Sequence, residues 1–302
     1  MNEYRPLPPS TAPYRPGLGG ELGFALLAVL WVLTALTALT GVALAVARTG
    51  SQTTRNRILL TRAGWAREAC VEILLARYAQ HPSVRRLDPT ALGRGTWCDV
   101  TLDDPATKLN VNLADRDALV AVLAAVSSGH SVDSLVDALL DWRDPDSVAR
   151  PYGLETPANR NGPLADIAEL RYVRGFDATL VQRLTPFLTT RGTGVINVNA
   201  APREVLATLP GMTAEAMLVL LGRRASGRPV QSADELASLL SESSRGVLLA
   251  QYPEFVRAAT FAPAQLLAVV EGGVRATPIV ARVTLTTVPV PDRLAVIRRE
   301  TE

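Results

Sequence analysis

The sequence predicts an α+β fold, in which one long apolar helix precedes an antiparallel sheet that is interrupted by a large helical insertion. Three patterns predict it. Residues 24–47 carry no charge, residues 97–102 and 281–285 alternate apolar with polar, and residues 109–260 repeat apolar positions every three or four residues. Alternation is the period of a strand, and steps of three and four are the period of a helix. Strands on both sides of a helical stretch favour an α+β body.

The apolar run from Phe24 to Ala47 predicts a transmembrane helix. Its 24 residues would make a helix of about 36 Å, which crosses a bilayer with some tilt. The alternative is a secretory signal peptide, whose apolar core spans roughly 7–15 residues behind a basic start. This core is longer, and the residues before it balance two arginines with two glutamates. We therefore predict an anchor that stays attached to the chain.

The segments after the anchor predict the remaining elements in order. Apolar residues at helical spacing continue from Thr49 to Ala79, and His81-Pro82 ends that helix, since proline disfavours helical backbone before it. We expect strands over residues 97–102, 266–270, 281–285 and 294–297, with a turn at Gly272-Gly273.

Two segments of the helical insertion repeat each other. Asn110–Leu119 and Asn197–Leu206 are equivalent at seven of ten positions, of which six are identical and the seventh pairs Asp117 with Glu204. An asparagine is a favoured helix cap, and an acidic residue in the first turn favours the helix dipole. The second copy continues through Leu209–Thr213 into another helix, which is the pattern of a helix-hairpin-helix.

The hairpin raises the hypothesis of a membrane-anchored, helix-hairpin-helix DNA-binding protein. Such hairpins bind phosphates through a Gly-x-Gly turn, and here Thr213 replaces the second glycine. Arg223, Arg224 and Arg228 could add positive charge, but arginines at a helix end are also typical of a solvated terminus. The formal net charge of +2 adds no general argument for nucleic acid, so we predict none as a partner.

The two cysteines, Cys70 and Cys98, leave two interpretations open. They are too few for a disulfide framework and lack metal-site spacing. In an oxidising compartment they could form one bridge that contributes about 3 kcal/mol. Two unrelated buried thiols fit the sequence as well.

Enzyme chemistry finds little support in the sequence. The chain has two histidines, and neither has a second ligand or catalytic partner nearby in sequence. It contains no nucleophile elbow, zinc-protease motif or Walker loop. We predict that the protein is not an enzyme.

Several blocks in this order and spacing resemble the type II secretion minor pseudopilin K family. A glycine precedes the apolar run, and the blocks behind it extend over nearly the whole chain. They are Gly23-Phe24, Leu109–Asn112, Ala138–Asp146, Asn159–Leu164, Glu169–Phe176 and Ile196–Pro202.

The resemblance implies a pilin-like α/β domain interrupted by a helical, helix-hairpin-helix or SAM-like domain. The implied boundaries are a leader at 1–23, a transmembrane helix at 24–47, a first pilin-like part at 48–108, the helical insertion at 109–260 and C-terminal strands at 261–302. It also implies a place at the tip of the pseudopilus with the minor pseudopilins I, J and H, where the protein helps to start assembly and to export folded proteins.

The resemblance further implies that a prepilin peptidase cleaves between Gly23 and Phe24. The anchor then holds the protein in the inner membrane with its C-terminal domain in the periplasm. The arginines after the anchor, which outnumber the two before it, favour the opposite orientation by the positive-inside rule. The fifth mature residue is Ala28, where type IV pilins and their relatives normally have glutamate, and the missing glutamate is part of the resemblance to the pseudopilin K family. A subunit with no neighbour above it has no amine to pair with that carboxylate, so an apolar residue fits a fibre tip.

An acidic segment suggests a calcium site. Asp144, Asp146 and Glu155 are the candidate ligands, because calcium takes six to eight oxygens and some members of the family bind calcium in this region. The alternative is a solvated loop, or aspartates paired with Arg143 and Arg150.

Overall fold

The computed structural model describes residues 19–127, 129, 131–291 and 293–301, with side chains described from residue 24 onward. The described residues divide into two compact units, with the boundary between Thr61 and Arg62. The helices are α1 Gly19–Gln80, α2 Arg116–Val126, α3 Val132–Arg143, α4 Ala178–Leu184, α5 Arg203–Leu206, α6 Ala214–Ala225, α7 Ala233–Ser238, α8 Glu242–Ala250 and α9 Tyr252–Ala258. The strands are β1 Arg86–Gly93, β2 Thr96–Asp103, β3 Leu109–Asn110, β4 Leu188–Thr189, β5 Ile196–Asn197, β6 Ala259–Thr260, β7 Leu266–Val274, β8 Val280–Val290 and β9 Arg293–Thr301. Short 3-10 helices occupy Pro105–Thr107 and Ile167–Tyr172.

Helix α1 carries the apolar run without interruption. Its large apolar side chains from Phe24 to Val46 are exposed. Among the described residues it is the one helix long and apolar enough to cross a membrane, and its most apolar stretch is not buried by protein. Lipid hydrocarbon would cover such a surface, so α1 fits a single membrane anchor. The helix ends directly before His81, as the sequence predicts.

Five strands form an antiparallel sheet in the order β1-β2-β7-β8-β9. The C-terminal part of α1 packs on this sheet, and Leu74 and Tyr78 are buried with Val100, Val270 and Leu285. The chain leaves the sheet after β2 and returns at β7, which pairs directly with β2. The α+β class, the antiparallel sheet and the insertion between strands are as the sequence predicts.

The expected turn at Gly272-Gly273 is wrong, because both glycines lie inside β7. A Cβ on Gly272 would lie 2.2 Å from the backbone nitrogen of Arg67 in α1, and a Cβ on Gly273 would lie 2.5 Å from the ring of Trp97. The glycines let the helix and the indole ring approach the strand closely. The chain reverses instead after Val274.

The two edge strands also differ from expectation. Strand β9 runs from Arg293 to Thr301 and is longer than the four residues predicted. Strand β1 has no predicted counterpart, because its residues are mostly exposed and only Leu87 and Leu92 are half-buried. A strand at the edge of a sheet needs little apolar alternation, so its sequence carries a weak signal.

A disulfide joins Cys70 of α1 to Cys98 of β2. Their separation of 28 residues corresponds to about 3 kcal/mol of stabilisation in the loop-entropy account. The bridge fastens the helix to the sheet it packs on.

Residues 109–260, here called the helical domain, pack around a core of their own. Its fully buried side chains include Leu119, Leu139, Leu184, Leu206 and Phe255. The helical domain also contains two short parallel strand pairs. Strand β3 pairs with β4 in its first half, and β5 pairs with β6 in its second half.

Candidate functional site: the paired asparagine motifs and the acidic loop

The two Asn-Val-Asn motifs form the same turn. Asn110 Oδ1 accepts the backbone N–H of Asn112 at 2.9 Å, and Asn197 Oδ1 accepts that of Asn199 at 3.1 Å. In each copy the turn leads from a short strand toward a helix, and the asparagine side chain holds it closed. The predicted asparagine caps are wrong, because Asp115 caps α2 and Pro202 stands at the N-cap position of α5.

The second asparagine of each motif binds a distant backbone residue. Asn112 donates to the carbonyl of Leu164 at 2.9 Å and accepts its N–H at 2.8 Å. Asn199 donates to the carbonyl of Val230 at 2.6 Å and accepts its N–H at 3.1 Å. A side-chain amide that both donates and accepts reproduces a strand-like pairing, so each motif fastens a separate loop to the start of its helix.

A pair of glutamates extends the repeat beyond the ten residues visible in the sequence. Glu169 and Glu235 each accept the backbone N–H of the residue four positions earlier, at 3.1 and 2.7 Å. Each also pairs with an arginine, Arg160 at 2.9 Å and Arg223 at 2.5 Å. The two halves of the helical domain therefore share one architecture, which sequence identity had shown only at their beginnings.

The arginines proposed to bind nucleic acid are mostly engaged within the protein. Arg223 pairs with Glu235, and Arg224 donates to the carbonyl oxygens of Val198 and Ala201. Burial lowers the pKa of Arg224. Arg228 is exposed. A guanidinium that already saturates internal carbonyls has few donors left for phosphate.

The hairpin turn is also covered. A Cβ on Gly211, whose φ is +69°, would lie 3.1 Å from the Cα of Leu248 in α8. Thr213 uses its hydroxyl to cap α6 by accepting the N–H of Ala216 at 3.1 Å. The turn therefore faces protein on one side, and its threonine serves the helix rather than an open phosphate cradle.

The loop after α3 is organised by two buried aspartates one helical turn apart. Asp137 accepts the backbone N–H of Tyr152, and Asp141 accepts that of Arg150 as well as its guanidinium at 2.7 Å. A Cβ on Gly153 would lie 1.8 Å from Asp141 Oδ2, so only glycine permits this approach. The carboxylates of α3 thus fold the loop back onto the helix.

The three predicted calcium ligands occupy this acidic loop. Asp144 pairs with Arg150, and Asp146 accepts the backbone N–H of Val148 at 2.9 Å. Glu155 accepts from the amide of Asn159 at 3.2 Å. Within the described part of the chain, no three histidine, cysteine or acidic side chains form a group arranged to hold a metal ion.

Two carboxylate oxygens in this loop have no hydrogen-bond partner. Asp144 Oδ1 and Glu155 Oε1 are buried atoms without a hydrogen-bond partner in the structure. Desolvation, then repulsion by Asp141, Asp144 and Asp146, raises the pKa of Glu155. Arg150 supplies a positive charge to Asp141 and Asp144. Arg143 does not pair with these aspartates in a hydrogen-bonded ion pair and donates instead to the carbonyls of Val111 and Ala114.

The predicted peptidase junction lies within α1. The helix backbone includes Gly23 and Phe24, and the Phe24 side chain is exposed. Residues 1–18 of the predicted leader lie outside the described residues. Cleavage at Gly23 therefore stays a prediction.

Comparison with known proteins agrees with this architecture. A family model described as type II secretion system protein K matches residues 102–192, which include the first Asn-Val-Asn motif and the acidic loop. The structure is similar to a chain in the crystal structure of the GspK-GspI-GspJ complex from the enterotoxigenic Escherichia coli type 2 secretion system. The TM-score is 0.57 at 18% identity, over 84% of this chain and 99% of that one. No curated protein sequence matches the chain.

The two comparisons bear on different properties of the chain. The sequence match covers the first half of the helical domain, while the structural similarity covers the fold of most of the chain. Residues 102–192 thus match the type II secretion system protein K family, and the fold of most of the chain is similar to that of a chain from the GspK-GspI-GspJ complex.

Proposed function

We propose that this protein is the minor pseudopilin that caps the type II secretion pseudopilus, starts its assembly and supports export of folded proteins across the outer membrane. The observation that carries the proposal is the family match over residues 102–192. The membrane anchor and the pilin-like sheet supply the parts that such a subunit needs. The C-terminal domain would lie in the periplasm, where the Cys70–Cys98 bridge would be stable.

The partners of this subunit would be the minor pseudopilins I and J, with H below them. This part of the proposal is supported by the likeness to a chain whose crystal structure contains GspK, GspI and GspJ. The experiment is to purify the full chain in detergent with the I and J pseudopilins of its own secretion system. We expect one peak containing all three proteins in gel filtration. Separate elution of the three would contradict the proposed partners.

Substitutions of Ala28, which lies in the exposed apolar section of α1, test the proposed position at the tip. A carboxylate at this position would have no amine above it and would stay unpaired in lipid, which costs several kcal/mol. We expect Ala28→Glu to impair membrane insertion or secretion and Ala28→Leu to leave both nearly unchanged. Full secretion by Ala28→Glu would contradict the argument for the tip.

Cleavage after Gly23 by the prepilin peptidase is a second test of the pseudopilin role. Co-expression with the prepilin peptidase should yield a membrane protein that starts at Phe24. Gly23→Val should block this cleavage, because only a small residue fits before the cut. Recovery of the intact N-terminus from native membranes would contradict a pseudopilin role and would favour the DNA-binding alternative for retesting.

We also propose that the acidic loop binds calcium weakly. Asp144 and Glu155 would hold the ion through their unpartnered oxygens. When bound, the ion would neutralise carboxylates that repel one another. Arg150 neutralises part of the same cluster, so we expect the loop to fold without the metal.

A further inference from the structure

A groove lies beside α1 at the end of the β1–β2 hairpin. It measures about 340 Å³, and its floor contains Ala66, Ala69 and Leu92. Trp65 stands at its side with 71% of its surface exposed. Strand β1 is an edge of the sheet, so no further strand of the sheet closes the groove on that side.

Two arginines line this groove, Arg62 from α1 and Arg94 from the hairpin turn. Arg94 has a φ of +47° and lies between two glycines that also have positive φ, a backbone that forms a tight turn and holds Arg94 beside the helix. Neither arginine side chain forms an ion pair or hydrogen bond with the described residues, and no acidic side chain lines the groove. The groove therefore combines positive charge with an exposed indole ring.

We propose that this groove docks an acidic segment of another pseudopilin, with carboxylates on Arg62 and Arg94 and an apolar side chain against Trp65. Tryptophan and arginine dominate the energetics of protein interfaces, and arginine binds carboxylates with two parallel hydrogen bonds. The apolar floor favours a protein segment over a phosphate group or a lipid headgroup. The proposal rests on the proposed function for the identity of the partner class, whereas the charge and the shape of the groove are independent of it.

Photo-crosslinking in the intact secretion system tests the groove. The full chain carries p-benzoylphenylalanine at Thr96, which lines the groove, and the crosslinked peptide is identified by mass spectrometry. We expect an acidic segment of another pseudopilin. Arg62→Glu with Arg94→Glu should reduce the crosslink at least tenfold. Arg203→Glu with Arg228→Glu, which reverses two exposed charges of the helical domain, should leave it unchanged.

A charge swap separates docking from misfolding. Arginine in place of the acidic residues of the captured segment should restore the crosslink to the Arg62→Glu, Arg94→Glu variant. Three results would overturn the proposal: no crosslink at Thr96, a crosslink to phospholipid, or a crosslink that the reversal at Arg62 and Arg94 leaves unchanged. An acidic segment from a protein outside the secretion system, with the same charge dependence, would support the groove and contradict the proposed function.

Discussion

Arg143 and Arg224 hold equivalent positions in the two halves of the helical domain. Arg143 ends α3 and donates to the carbonyls of Val111 and Ala114, the latter at 2.6 Å. Arg224 lies in the last turn of α6 and donates to Val198 and Ala201, the latter at 2.8 Å. Burial lowers the pKa of both guanidinium groups. Each arginine thereby joins the end of one helix to the turn of an Asn-Val-Asn motif.

Removing either arginine should destabilise its half of the helical domain. Arg143→Ala or Arg224→Ala leaves two carbonyls without their donor, and we expect a loss of about 2–4 kcal/mol in the free energy of unfolding. Lysine should recover only part of it, because it lacks the planar fork. Urea denaturation measures the effect. Arg228→Ala, on the exposed surface, should change stability by less than about 0.5 kcal/mol, and equal losses in all three would contradict the assigned role.

The contact between α1 and β7 depends on Gly272. A Cβ there would lie 2.2 Å from a backbone atom of α1, which cannot move as a side chain can. We expect Gly272→Ala to cost about 3 kcal/mol or more, at the upper end of overpacking effects. Thermal unfolding of the full chain in detergent measures this change.

The matched control is Gly222 in α6, where an added Cβ meets nothing within 4 Å. Gly222→Ala should be neutral or stabilise by about 0.5–1 kcal/mol, since alanine favours the helix. A Gly272→Ala variant as stable as this control would show that α1 does not lie against the sheet at residue 272.

The stability of the sheet should fall in acid through Glu68. Burial by itself raises the pKa of this carboxyl, but hydrogen bonds from Arg67 and Arg299 outweigh it, so the pKa lies below the ordinary 4.5. A carboxyl whose pKa is lower in the folded state stabilises the fold above its unfolded pKa. That contribution is lost as the pH falls through the folded pKa.

The corresponding variant is Glu68→Gln. It should lower stability at pH 7 and make the decline from about pH 5 to pH 3 shallower. Glu72→Gln, at an exposed position of the same helix, should leave the pH profile as it is in the wild type. Denaturant titrations across this pH range measure both, and identical acid slopes for wild type and Glu68→Gln would contradict the prediction.

Calcium should stabilise the acidic loop only weakly. With two unpartnered oxygens and Arg150 already paired to the cluster, we expect a dissociation constant on the order of 10⁻³ M, as in weak extracellular sites. The melting temperature should rise when the calcium concentration is 10-fold above this dissociation constant, because an ion that binds only the folded state stabilises it. Asp144→Asn with Glu155→Gln should abolish the rise, and Asp88→Asn, in β1, should not. An unchanged melting temperature in the wild type would show that Arg150 alone serves this loop.

The sequence by itself determines the class of the fold and carries the resemblance to the pseudopilin K family, because these depend on local periodicity and on motifs. The apolar run, the end of α1 before His81, the strand at 97–102 and the two Asn-Val-Asn motifs are all readable along the chain. Helical and strand periods express burial on one face, which a sequence records directly. Edge strand β1 cannot be predicted in this way, because few of its residues are buried.

Only the tertiary structure decides what distant residues do to one another. From the sequence, Gly272 is predicted to lie in a turn, whereas in the structure α1 packs against it. Arg224 is predicted to be a surface charge, whereas it donates to carbonyl groups 23 to 26 residues away in the chain. The pairing of Cys70 with Cys98, which the sequence leaves open, is decided by the packing of α1 on β2. Close approach and hydrogen-bond satisfaction are properties of the packed chain, and no local pattern encodes them.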